Sequence, residues 1–243
     1  ALALSQARDA DAVRARNQPT SPIHGLPYAL KDIIDVAGIR STWGATPYQD
    51  RVGEIDAAAY ERLRDGGAVL LGKSTSGAIA YNDLWFGGLT RNPWNTDEGS
   101  SGSSAGSASA VTAGLASFAI GTETLGSIVS PSHRCGTTGL RPTFGRVSRA
   151  GAMALCWSLD KIGPITREVA DTALVLGVLN GHDVADASSL DTNFGVDWSF
   201  DPSRLRVGHI PGDFDNAAPP DRAALQAVRD LGCELVEIEM PDL

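Results

Sequence analysis

The sequence is poor in several features that would settle its class quickly. It has three cysteines, Cys135, Cys156 and Cys233, an odd number with no metal-type spacing, which predicts reduced thiols rather than a disulfide framework. No cluster of His, Cys, Asp and Glu has the spacing of a metal site, so no metal or cofactor is expected. No apolar run is long enough to span a bilayer, and the opening ALALSQARDADAVRARN is charged and helix-like rather than a secretion signal. A cytoplasmic protein is expected. Basic runs are missing as well: 29 acidic residues against 20 basic give a formal charge of −9, which argues against nucleic acid or an anionic membrane as partner. Nothing repeats. What remains is a chain of 243 residues, 42% hydrophobic, an ordinary composition for a globular protein with one large core.

Taken in order, residues 1 to 17 carry Ala and Leu at helical spacing, and Pro19 and Pro22 end that helix. Gly25 to Leu30 lead into Lys31-Asp32-Ile33-Ile34-Asp35-Val36, which reads as a strand interrupted by charge. Asp56 to Arg64 is a helix stopped by Gly66-Gly67, Ala68 to Leu71 a short buried strand, and Gly77 to Tyr81 a helix-like piece. Asn92 to Glu98 reads as loop. Phe118-Ala119-Ile120 is a candidate buried strand, Leu140 and Gly145 to Ser148 suggest short strands, and Glu168 to Leu179 is a helix stopped by Asn180-Gly181. An exposed loop is expected over 182 to 204. Leu205 to Ile210, Pro220 to Leu231 and Glu234 to Ile238 then form a β-α-β unit. The alternation predicts an α/β fold with a mixed, largely parallel sheet flanked by helices.

Three stretches bear on chemistry. The segment from Gly99 to Gly139 is very rich in Gly, Ser, Thr and Ala, a composition common in linkers. It also contains a continuous small and apolar run and a strand candidate, so it reads as a tightly packed floor bearing hydroxyls. Gly67 to Ser74 satisfies the phosphate-loop pattern G-x-x-x-x-G-K-[ST], but a helix precedes it and its middle residues are strand material, so the pattern lacks its context. Gly102-Ser103-Ser104-Ala105-Gly106 matches the G-x-S-x-G elbow, which would make Ser104 a nucleophile. That elbow needs a preceding strand and a partner histidine, and neither His133, His182 nor His209 has a distinctive setting.

Six blocks in order, ALKDIID around Lys31, NPWN at 92 to 95, GSSAGSASA from Gly102, GTETLGSI from Gly121, CGTTGLRPTFGRVS from Cys135 and SLDKIGPITR from Ser158, together resemble the amidase signature family. The resemblance covers roughly residues 24 to 181. It implies an α/β core and amide hydrolysis by a Ser-cisSer-Lys triad through an acyl-enzyme, with Ser127 as nucleophile, Ser103 as bridging serine after a cis peptide, and Lys31 as base. Thr124, Leu125 and Gly126 would supply an oxyanion turn, and Ser104 would support the serine pair. Chemistry agrees: a serine needs a base, and a lysine becomes one when burial lowers its pKa from about 10.4 toward ~7–8. Asp32 would point to the opposite face.

The chain departs from the family pattern at Glu123, where Asp is common, at Leu125-Gly126 in place of a Gly-Gly pair, at Val129 in place of an arginine, and at Arg134 in an aromatic position. It is shorter than usual for the family. The resemblance therefore implies a single amidase-type domain, residues 1 to 243, incomplete at both ends. The expected partner is a small-molecule or peptide amide. GTETLGSIVSP is most similar to the peptide-amidase branch, an amidotransferase subunit of the glutamyl-tRNA type is the alternative, and an inactive amidase-fold scaffold is the competing class.

Overall fold

A computed structural model describes residues 1–240. By its contacts the chain divides into two compact units, Ala1–Gly195 and Val196–Leu243. In the first, α1 (Leu2–Ala15) precedes β1 (Pro27–Lys31), α2 (Ala58–Asp65) and β2 (Val69–Ser74). Short ribbons β3 (Leu84–Trp85), β4 (Gly88–Leu89), β5 (Arg91–Asn92) and β6 (Asn95–Gly99) lead to α3 (Ala105–Thr112), β7 (Phe118–Glu123), α4 (Val129–Cys135), β8 (Thr138–Gly139), β9 (Lys161–Thr166) and α5 (Val169–Leu179). The central sheet runs β2-β1-β7-β9-β8. β1 lies parallel to both β2 and β7, while β9 is antiparallel to β7 and β8, so the fold is mixed α/β as expected.

β1 is an interior strand between β2 and β7, and four of its five residues are buried. Tyr28 and Leu30 are fully buried, and the Tyr28 ring stacks on Phe118 of β7 at 5.2 Å. α2 buries Ala58, Ala59, Tyr60 and Leu63, and its Arg62 reaches across to cap α5, donating to the carbonyls of Leu179 and Gly181. Gly67 follows α2 at φ +80°, and a Cβ there would stand 2.1 Å from His24 Nδ1, so this turn requires glycine. The segment resembling a phosphate loop is thus a helix stop running into β2, and its Lys73 donates to Ile34 O and Ser41 Oγ, both at 2.6 Å. On the other side of the sheet, Ala108 and Val111 of α3 pack with Ala119, Ile128, Cys135 and Ile165.

Several local readings change. The strand stops at Lys31 rather than continuing to Val36, because Asp32 accepts from Thr42 N (3.0 Å) and Thr42 Oγ1 and turns the chain. Asn92 to Glu98 is not loop but the β5–β6 hairpin, whose tight turn is closed by Trp94 N donating to Asn92 Oδ1 at 3.1 Å. Gly145 to Ser148 forms turns instead of a strand. The piece near 77 to 81 is one 3-10 turn, Ala78–Ala80, with Ile79 at φ 51°. Residues 182 to 200 hold no helix or strand, yet Asp186 and Ser189 are buried, since Arg149 pairs with Asp186 at 3.2 Å and draws the loop inward.

The second unit contains β10 (Arg206–His209), α6 (Pro211–Asp215), α7 (Pro219–Asp230) and β11 (Glu234–Glu237). β10 and β11 pair in parallel, giving the expected β-α-β unit. No described residue of this unit is buried. No described helix is long and apolar enough to cross a membrane.

Candidate active site

Lys31 is the last residue of a strand flanked on both sides, and its side chain is completely buried. Nζ stands 2.7 Å from Ser103 Oγ and 2.7 Å from Thr122 Oγ1. Burial lowers its pKa from 10.5 to about 7, against the opposing pull of the Glu123 and Asp160 charges. No carboxylate oxygen lies within ion-pair distance of Lys31 among the described residues. Asp32, adjacent in sequence, is turned to the Thr42 hydroxyl and to Lys73 at 3.4 Å.

Ser103 is held by a crowded corner. The Gly102–Ser103 peptide is cis. A Cβ on Gly102 would sit 1.9 Å from Asn82 O, so no other residue fits. Ser103 O accepts from Gly77 N at 3.1 Å, and Ser101 N donates to Asp83 Oδ2 at 2.9 Å. Ser104, also fully buried, donates its hydroxyl to Thr122 O and accepts from Thr122 N, both at 3.1 Å. Its hydroxyl is therefore engaged on both sides with backbone of β7, and Gly121 leaves the space it occupies.

Ser127 lies half-buried in the turn between β7 and α4. Its carbonyl accepts from Ser104 N at 3.1 Å, which fastens the turn to the serine corner. Lys31 and Ser103 meet directly, whereas Ser127 joins them through this backbone bond; its hydroxyl has no hydrogen-bond partner among the described residues.

The turn is organised by Glu123, a fully buried carboxylate. It accepts from Gly126 N, from Ile128 N at 2.5 Å and from Val129 N at 3.1 Å, with Arg141 Nη1 at 3.8 Å. This corrects the expected oxyanion set. The Gly126 amide is committed to Glu123, because a glutamate here is long enough to reach it, while the amides of Thr124, Leu125 and Ser127 donate to nothing among the described residues. Arg134 is turned to Glu98 at 2.6 Å on the surface.

Two further contributors lie inside the blocks GTETLGSI and SLDKIGPITR but are not among the site residues that the resemblance implies. Thr122 holds the lysine, and only the register of β7 beside β1 places it there. Asp160 accepts from Thr124 Oγ1 at 2.5 Å and from the amides of Leu155 and Cys156 at 2.7 and 2.9 Å. Beside these groups is a narrow cleft lined by Thr122, Thr124, Met153, Leu155, Trp157 and Ile162. No three His, Cys, Asp or Glu residues among those described stand together as a metal site.

A mixed α/β sheet in which an interior strand presents a buried lysine to a Gly-Ser corner is an amidase arrangement. The Amidase family model matches residues 1–243, and the chain belongs to that family. It is 40% identical to a glutamyl-tRNA(Gln) amidotransferase subunit of Moorella thermoacetica, over 98% of this chain and 51% of that protein. Among solved structures, the native peptide amidase from Stenotrophomonas maltophilia is similar with a TM-score of 0.87 and 37% identity, covering 98% of this chain and 53% of that one. The corresponding glutamyl-tRNA(Gln) amidotransferase subunit from Thermotoga maritima is similar at 0.84 and 30% identity, covering 90% and 50%. The chain thus spans about half the length of the relatives it matches.

Proposed function

We propose that this chain carries the catalytic core of an amidase that hydrolyses a linear carboxylic amide through an acyl-enzyme on Ser127. The observation that carries the reading is a wholly buried Lys31 with a pKa of about 7, 2.7 Å from Ser103 Oγ. A neutral amine has two N–H donors and one lone pair. With Thr122 Oγ1 accepting one N–H, the lone pair faces the Ser103 hydroxyl. Ser103 then gives its proton to Lys31 as it takes the proton of Ser127, and Ser127 Oγ attacks the amide carbonyl. The free amides of Leu125 and Ser127 stabilise the resulting oxyanion. Collapse expels the amine or ammonia with the proton returned along the same path, and water releases the acid by the reverse relay. A single amidase-type domain over residues 1 to 243, completed by further chain, belongs to this proposal.

The second reading is favoured by the 40% identity to an amidotransferase component. There the chain would act within an assembly of several different chains, and the nitrogen would be transferred rather than released. The preference for simple hydrolysis is supported by the similarity to the peptide amidase structure.

The test is fluorophosphonate labelling together with an amide panel. Ser127→Ala should lose both labelling and hydrolysis, Ser103→Ala should lose at least ~10² in rate, and Ser104→Ala should lose far less. Label found on Ser104 would overturn the assignment. Hydrolysis seen only with partner chains present would favour the second reading.

A further inference from the structure

We propose that Asp160 is a positioning residue that ties the turn carrying Ser127 to the segment lining the cleft, acting through Thr124. The inference rests on the proposed role of Ser127. Thr124 opens that turn, and it is gripped at two points, by Asp160 just before β9 and by Lys161, the first residue of β9: its hydroxyl donates to Asp160 Oδ1 at 2.5 Å, and its carbonyl accepts from Lys161 Nζ at 3.3 Å. The other oxygen of Asp160 accepts from the amides of Leu155 and Cys156, and its own N–H donates to Cys156 O at 2.9 Å. One buried carboxylate thereby joins the nucleophile turn to the chain that supplies Leu155 and Trp157 to the cleft. Glu123 fixes the downstream amides of the turn, and Asp160 fixes its upstream end.

The geometry sets what each substitution removes. Asn in place of Asp160 keeps one acceptor and loses the other, so either Thr124 or the 155–156 amides are released. It also removes a negative charge from the surroundings of Lys31. The charged groups there are Glu123 on β7, Asp160 and Lys161 at the start of β9, and the Asp32–Lys73 pair beside β1 and β2. Arg149, from the segment over the cleft, is paired with Asp186, and Arg141 with Glu123. Since the Asp160 charge holds the Lys31 pKa up, its loss makes the neutral amine available at lower pH.

The experiment follows the rate at which a fluorophosphonate modifies Ser127, Oγ bonding to phosphorus as fluoride leaves, as a function of pH. Asp160→Asn should lower the limiting rate at least ~10-fold, as misplacement of an attacking atom does, and should move the acid limb to lower pH. Thr124→Val removes the hydroxyl link without changing charge, so it should lower the rate with the limb unmoved. Asp160→Asn reacting at the parent rate with an unmoved limb overturns the proposal. Should Asp160→Asn fail to fold by circular dichroism, Thr124→Val decides: a tenfold loss supports the link and a parent-like rate overturns it. If the unsubstituted chain is labelled somewhere other than Ser127, the functional reading falls first and the positioning role with it.

Discussion

At the scale of single residues, Lys31 couples chemistry to stability. Its folded pKa of about 7 lies below the ordinary 10.5. Between those values the unfolded chain binds more protons than the folded one, so this group makes stability rise with pH across that window. Below pH 7 its full penalty, on the order of 3–5 kcal/mol, is present. Lys31→Met should therefore abolish hydrolysis while raising the melting temperature at pH 6 to 7, and the parent's gain in stability toward pH 10 should vanish. A variant that melts lower at pH 6 would refute the burial argument. The rate of the parent enzyme should rise with pH through about 7 as Lys31 loses its proton. Val129, partly exposed beside the turn, makes a second residue-scale case. It stands where the family pattern has an arginine and cannot clamp a substrate carboxylate, while Arg134, further along the same helix, is engaged with Glu98. A neutral amide such as malonamide should be cleaved with at least tenfold higher kcat/KM than malonamate, measured side by side. Equal rates would refute this. The triad candidates are legible in the sequence because each is embedded in a motif with a recognisable neighbourhood. Thr122 and Asp160 lie inside two of the same blocks, yet their roles are not legible there, because these come from strand register and from a turn that folds back, neither of which is written in local spacing.

Among the elements, the β7–α4 turn depends most on one side chain. Glu123→Ala would leave the amides of Gly126, Ile128 and Val129 without their acceptor, two of them in buried or half-buried positions. At about 1–3 kcal/mol for each unsatisfied buried group, the expected loss is several kcal/mol, read by chemical denaturation. A loss under about 1 kcal/mol would show that water replaces the carboxylate. Elements with a strong period or clear stops are readable from sequence: α1, α2, α5 and the β-α-β unit lie close to where the pattern puts them. The β5–β6 hairpin is hidden because Pro93 and polar residues mask a ribbon only a few residues long. The pattern extends the strand past Lys31 because Ile33, Ile34 and Val36 are apolar for a different reason: they fill the core from a turn and bridge region. Side-chain capture of Thr42 by Asp32 overrides their strand propensity.

Over the whole molecule, burial is uneven. The sheet of the first unit is built on fully buried residues, while the second unit has none among those described. With little apolar surface removed from water, a small β-α-β unit is marginal. Hydrogen exchange on the intact chain should show amides of β10, α7 and β11 exchanging at least ~10²-fold faster than those of β1, β7 and β9. Uniform protection across both units would contradict this. The placement of the lysines has a consequence of another kind. The chain has only Lys31, Lys73 and Lys161, every other basic side chain being arginine or histidine. The first is sealed in the core, the second is tied down by Asp32, Ser41 and Ile34, and the third leans on Thr124. Among the described residues, amine-directed reagents used for conjugation or cross-linking mass spectrometry thus find no freely extended lysine side chain, so lysine-to-lysine cross-links within this chain should be scarce.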